Sequence, residues 1–83
     1  MLHAMEAVMC LRAGAKLAQV RALLRHHQVQ AQAMHPGVAD EALALWYVLS
    51  GPSDEALAGA VQALQAHPAV DAALIKPAGE PPH

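Results

Sequence analysis

The sequence predicts an α+β ferredoxin-like domain, in which a four-stranded antiparallel sheet carries two helices on one face. Three observations support this fold. The chain has 83 residues, enough for one domain. Its apolar residues alternate in four segments and recur at helical spacing in two others, in the order β-α-β-β-α-β. With right-handed crossovers, this order places both helices on the same face of the sheet.

The first half of the chain predicts a strand, a helix and a second strand. Residues 5–12 form an apolar strand that Gly14 ends. Residues 15–27 then carry apolar side chains at helical spacing, so we expect a helix there. Residues 29–35 alternate between apolar and polar side chains, which predicts a half-buried or edge strand before the turn His35-Pro-Gly.

The second half predicts a strand, a helix and a last strand. Residues 42–49 are apolar on both faces and form the third strand, after a hairpin loop. Ser53 can cap the next helix, and Pro68 ends it because proline disfavours helical geometry at the residue before it. Residues 70–76 form the last strand. We therefore expect a domain over residues 1–76 and a Pro-rich extended tail over residues 77–83.

Two helices cover only one face of a sheet. The other face, here called the open face, is left uncovered by the chain's own helices, so we expect it to bind a partner. In the first register, the helices cover the side of Tyr47 and Leu49, and the open face carries Val8, Cys10, Trp46 and Val48. The alternative register places Trp46 in the core and leaves Leu43, Leu45 and Leu49 on the open face. Either register leaves an apolar patch, which predicts a binding surface.

Composition argues against several classes of function. A net charge of −2 gives no electrostatic footprint for nucleic acid, and the basic residues of the first helix predict a solvated face. One cysteine leaves no internal disulfide, and the six histidines have no metal-ligand spacing. No nucleophile has a base beside it in sequence. We therefore expect a non-enzymatic domain without metal or cofactor.

Membrane and export signals are also missing from the pattern. No segment is long and apolar enough to span a membrane, and Glu6 interrupts the apolar start of the chain. We expect no membrane contact and, by default, a cytoplasmic location.

The C-terminal half carries a family resemblance. It reads Asp54-Glu-Ala-Leu-Ala, then Leu64-Gln-Ala-His-Pro-Ala-Val70-Asp-Ala-Ala-Leu, followed closely by Pro81-Pro82. This segment, residues 53–82, resembles the end of the prodomains of subtilisin-like serine proteases, in which a helix ends in a Leu-x-x-x-Pro-x-Val pattern. Those prodomains are ferredoxin-like inhibitors and folding chaperones. The resemblance therefore implies a protein that docks on such a protease.

The resemblance also implies which residues make contact. In that family the open face packs on two surface helices of the protease, and carboxylates near the hairpin cap those helices; Asp40 and Glu41 occupy a comparable hairpin here. The tail would lie extended in the substrate groove like a product, with its contacts made by Pro77, Glu80, Pro81, Pro82 and His83.

The sequence departs from that family in one motif and keeps a rival interpretation open. Where the family has a Gly-aromatic motif, this chain has Ala44-Leu-Trp-Tyr. The rival is a homodimer that resembles small regulatory ligand-binding domains of the ACT type, in which a glycine-containing loop after the first strand binds an amino acid. Arg12-Ala-Gly14-Ala matches that loop in outline. A purely structural dimerisation module is a third interpretation.

Overall fold

The structure is a computed structural model that describes residues 5–77, and it confirms the predicted α+β fold. The four strands form one antiparallel sheet in the order β2-β3-β1-β4, as a ferredoxin-like arrangement requires. A short 3-10 helix, Leu17–Val20, precedes the first α-helix. The strands are β1 (Met5–Leu11), β2 (Gln30–Ala33), β3 (Trp46–Ser50) and β4 (Val70–Pro77), and the helices are α1 (Arg21–His26), α2 (Glu41–Ala44) and α3 (Asp54–Gln65).

The hydrophobic core lies between the helices and one face of the sheet. From the central strand β1, the side chains of Ala7, Met9 and Leu11 point into it, and from β3 that of Leu49 does so. Residues at helical spacing on α1 and α3 pack against them, and the members of this helical stripe are Leu24, Leu57, Ala60, Val61 and Leu64. The helices therefore cover the side of the sheet that the first predicted register assigned to them.

Helix α3 begins and ends as the sequence predicts. The Ser53 hydroxyl accepts a hydrogen bond of 3.1 Å from the Ala56 N–H, which satisfies one of the free amides of the first turn. Asp54 and Glu55 add negative charge at the positive end of the helix dipole. The helix stops at Gln65, ahead of Pro68.

The end of α1 has a backbone conformation that is unusual for its residue. Gln28 has φ 60°, in the left-handed region that favours glycine. The Val29 N–H donates to the Leu24 carbonyl at 2.9 Å, and the Gln28 N–H donates to the Arg25 carbonyl at 3.0 Å. This is a Schellman motif, which satisfies the last carbonyls of the helix and packs Val29 beside Leu24 in the core.

The prediction of a strand over residues 42–49 is wrong in its first half. Residues 41–44 form helix α2, and the strand begins only at Trp46. The physical reason is the Asp40 side chain, whose Oδ1 accepts hydrogen bonds from the N–H groups of Ala42 at 2.8 Å and Leu43 at 3.4 Å. A capped turn of Glu, Ala and Leu favours helix over strand.

Three smaller boundaries also differ from the prediction. The first helix is split into a 3-10 turn and the six-residue α1, and β2 covers four residues, fewer than residues 29–35. Pro77, expected to begin the tail, is the last residue of β4 and lies opposite Met5. Proline is accepted there because β4 is an edge strand. The other predicted tail contacts, namely Glu80, Pro81, Pro82 and His83, lie outside the described residues.

Candidate functional site

Two rows of side chains cross the open face. In one row, Cys10 of β1 lies between Trp46 of β3 and Ala72 of β4. In the next row, Val8 lies between Val48 and Leu74. All members are apolar or weakly polar, so together they form an apolar strip across three strands, composed of Val8, Cys10, Trp46, Val48, Ala72 and Leu74.

The centre of this strip is buried without belonging to the core. Val8 is 6% exposed and Cys10 is 9% exposed, yet neither is part of the hydrophobic cluster beneath the helices. Each of them lies between two residues of the neighbouring strands on the same face. The strip is therefore a second, thinner apolar layer, and the four open-face residues expected from sequence all lie in it.

The flank of the strip on β4 is open to solvent. Leu74 is 44% exposed, whereas most large apolar side chains of the described fold are buried or half-buried. Trp46, Val48 and Ala72 are half-buried. Sequence reasoning did not include Ala72 and Leu74, although the alternation of the last strand and its pairing with β1 would have placed both on the same face as Val8 and Cys10.

Polar side chains border the strip on β2 and at the end of the sheet where β1 begins, here called the lower end. Glu6 lies on β1 next to Met5, and Ser50 of β3 lies opposite Gln30. Gln32 lies opposite Val48, on the outer side of the second row. An apolar centre with a polar border is the usual composition of a protein–protein contact.

The Cys10 thiol is a packed side chain rather than a reactive one. Burial raises its pKa above the ordinary value, and the negative charge of Asp71 raises it further. Thiols react as thiolates, so a raised pKa makes Cys10 a poor nucleophile at neutral pH. Its role on the open face is to fill space between Trp46 and Ala72.

The other residues predicted to contact a partner form two groups at opposite ends of the sheet, Asp40 with Glu41 at one end and Pro77 at the other. Asp40 and Glu41 begin α2, whose C-cap Leu45 accepts a backbone hydrogen bond from Leu11 at the upper end of β1. Pro77 lies beside Met5 at the lower end. Since the first and last of the seven residues of β1 are six steps apart, these ends are about 20 Å apart at roughly 3.4 Å per residue. The Asp40 carboxylate already caps its own helix, and Glu41 is exposed.

Two grooves lie on the helix side of the sheet. The first, here called the Gly14 groove, has a volume of about 730 Å³ and lies between the loop after β1 and helix α2. Apolar side chains, including Leu17 and Tyr47, line it, with Lys16 and Glu41 among its polar residues. The second, here called the α1–β2 groove, has a volume of about 720 Å³ and carries Arg21 and Arg25.

Three of the four histidines within residues 5–77 make local contacts. His67 Nδ1 accepts a hydrogen bond of 3.0 Å from the Ala69 N–H, which fixes the loop after α3. The rings of His26 and His27 meet edge to face at 5.0 Å. Across residues 5–77, no three potential metal-binding side chains come together. No helix in this range is long and apolar enough to cross a bilayer.

Comparison of the chain with family models, curated proteins and solved structures finds no significant match.

Proposed function

We propose that this chain is a non-enzymatic interaction domain, a prodomain-like inhibitor and folding chaperone of a subtilisin-like serine protease. It docks by its open face and by the C-terminal tail of residues 78–83, with Pro77 at the end of β4. The observation that carries the proposal is the apolar strip on the face opposite the helices, with Leu74 44% exposed at its flank. The resemblance of residues 53–82 to protease prodomains supplies the identity of the partner.

The area of the open face is consistent with docking through two contact surfaces, the open face and the tail. Four strands at about 4.8 Å spacing and roughly 20 Å length give a face on the order of 400 Å². A stable complex buries about 800 Å² on each partner. The face therefore provides about half of such an interface, and an added peptide contact from the tail would supply much of the rest.

The arrangement of the contacts sets a requirement on the protease. Asp40 and Glu41 lie at the upper end of the sheet, and the tail leaves from Pro77 at the lower end. A partner that engages both must present a surface about 20 Å long beside its substrate groove. On the upper side, the exposed Glu41 is the better anion for the N-terminus of a protease helix, because Asp40 already accepts two hydrogen bonds from its own helix.

The test is inhibition of a subtilisin-like protease by variants of the chain. Leu74→Asp places a charge in the docking strip at the residue whose exposure makes the folding cost smallest. We expect a loss of about 2 kcal/mol or more, roughly thirtyfold in the inhibition constant, because a carboxylate would be buried without a partner. Gln62→Asp makes the same change in charge on the exposed side of α3 and should inhibit normally.

Deletion of residues 78–83 separates the two contacts. Without the tail, the chain should still bind the protease at its surface but no longer compete with substrate. If Leu74→Asp and the tail deletion both inhibit like the unaltered chain, the proposed docking mode is wrong.

A second candidate function is a homodimeric ACT-like module that binds a small ligand, and the Gly14 groove favours it. Gly14 has φ 87°, and a Cβ built on it meets no atom within 4 Å, so the loop after β1 is open towards solvent. Lys16 and Glu41 beside apolar walls suit a ligand that carries both charges and an apolar group.

Light scattering after size exclusion, over a concentration series, distinguishes the two candidates. A monomer that gains stability with a protease supports the inhibitor. A dimer that persists at low concentration, and whose thermal stability rises with free amino acids, supports the ligand-binding module.

A further inference from the structure

The α1–β2 groove combines two arginines with an apolar floor. Arg21 and Arg25 project from α1 at one wall, and Ala31 of β2 lies at the other. Leu24 and Val29, both buried, form the floor. The groove is thus shaped by the helix and by the outer edge of the sheet, away from the open face.

The charge of this groove is unbalanced. No acidic residue lines it. Over the described residues 5–77, the one ion pair within 4.0 Å joins Arg12 to Asp71, so neither Arg21 nor Arg25 has a carboxylate partner in that range. In a chain with a net charge of −2, the groove is a local region of positive charge.

The edge of β2 beside the groove carries unpaired backbone groups. The Met34 N–H donates to the Trp46 carbonyl at 3.1 Å, so the backbone groups of Met34 face β3. Gln32 lies two residues earlier, opposite Val48, and its backbone groups face β3 as well. In an antiparallel pair, successive residues alternate between the inner and outer sides, so the N–H groups of Ala31 and Ala33 point outwards. Within the part of the chain that the structure describes, β2 is the end of the sheet and no strand pairs with that edge.

The spacing of the arginines matches that of an added strand. Arg21 and Arg25 are four residues apart on α1, which separates them by about 6 Å along the helix. Alternate residues of an extended strand are about 6.7 Å apart and point to the same side. Two carboxylates at positions i and i+2 of an extended peptide would therefore meet the two guanidinium groups together.

We propose that the α1–β2 groove binds an extended acidic peptide segment of a partner protein. The segment pairs with the outer edge of β2 through its backbone and places two Glu or Asp side chains, at i and i+2, against Arg21 and Arg25. Backbone pairing provides affinity and the two charges provide selectivity. This site is independent of the open face and of the proposed inhibition of a protease.

The test uses three blocked peptides and NMR detection of the backbone amides. The first peptide is acetyl-Thr-Glu-Thr-Glu-Thr-amide, the second has Lys in place of both Glu, and the third has the same composition in the order Glu-Glu-Thr-Thr-Thr. The first should shift the amides of Ala31, Ala33 and their neighbours on α1, and the other two should bind at least about tenfold more weakly.

Two variants locate the site. Arg21→Glu combined with Arg25→Glu changes only exposed side chains, so the fold should persist, and it should reverse the preference towards the lysine peptide. Ala33→Pro removes an outward N–H, which an edge strand tolerates, and should abolish pairing. Leu74→Asp should bind the acidic peptide normally.

Three results would overturn the proposal. One is equal binding of all three peptides. Another is a shift pattern that avoids β2. The third is the same pattern produced by inorganic phosphate at equal concentration, which would indicate a site for small anions without strand pairing.

Discussion

The Arg12 guanidinium Nε donates a hydrogen bond of 2.9 Å to the Pro68 carbonyl, 56 residues further along the chain. The Arg12 N–H also donates to the Ala69 carbonyl at 2.9 Å. These bonds tie the end of β1 to the loop that leads from α3 into β4, and so hold β4 with its Leu74 at the edge of the open face.

Replacement of Arg12 should weaken the fold through this hydrogen bond. We expect Arg12→Ala to lower the free energy of unfolding by about 1–1.5 kcal/mol. Asp71→Ala should cost less than about 0.5 kcal/mol, because the Arg12–Asp71 ion pair is 3.7 Å long and exposed. Urea denaturation followed by circular dichroism measures both. Equal losses would assign the stabilisation to the ion pair instead.

Gln28 is the position at which glycine should improve the chain. Its φ of 60° is costly for a residue with a Cβ, and glycine removes that cost of roughly 1 kcal/mol. We expect Gln28→Gly to raise the free energy of unfolding by up to about 1 kcal/mol. Gln28→Val should lower it, because a β-branched side chain suits that conformation least. A gain with valine would contradict the Schellman motif.

Gly59 lies within α3, where alanine is favoured. A Cβ built there would be 3.4 Å from His27 Nδ1 and 3.5 Å from Cε1, both ordinary contacts. Gly59→Ala should therefore stabilise the chain by about 0.5–1 kcal/mol. Gly51→Ala is the matched control, since its Cβ would be only 3.2 Å from Val29 Cγ2 and should bring no gain. Thermal melts of both variants compare them directly.

Asp40 can be tested separately as a cap and as a charge. Asparagine caps helices about as well as aspartate but carries no charge. Asp40→Asn should therefore keep the stability within about 0.5 kcal/mol, while Asp40→Ala should lose about 1 kcal/mol. If Asp40 also meets a protease helix, Asp40→Asn should weaken inhibition at unchanged stability. Normal inhibition by Asp40→Asn would leave this role to Glu41.

The raised pKa of Cys10 predicts how stability depends on pH. An acid whose pKa is raised by folding stabilises the fold only while it is protonated. Its contribution is complete below the ordinary value of 9.0 and is lost as the pH rises through the higher pKa of the folded state. Above pH 9.0 the unaltered chain should therefore lose stability faster than Cys10→Ala. Parallel slopes for the two chains would contradict a buried thiol.

How far the sequence predicts this fold depends on the strength of each local signal. Ser53 with Asp54 and Glu55 correctly placed the start of α3, because a cap and two carboxylates act together there. The same signal, Asp40 followed by Glu41, marks the start of α2, where the sequence pattern predicts a hairpin loop. The apolar run after it masked the helix, since a short apolar run fits either a strand or a helix.

The open face was predictable in part. Alternation along β1 and β3 placed Val8, Cys10, Trp46 and Val48 on one side, and the pairing of those strands follows from the fold. The grooves were not predictable, because each depends on how far a helix stands from the sheet. That distance is set by side chains distant in sequence, such as Leu17 and Tyr47 at the Gly14 groove.

The pairing of Met5 with Pro77 brings the two ends of the described fold to one corner of the sheet. A short linker could therefore join these ends, and new ends could be cut into an exposed loop such as the one around Gly37 without disturbing any strand. The same geometry would let the domain be spliced into a surface turn of another protein. In such a host, the Gly14 groove would face away from the point of attachment.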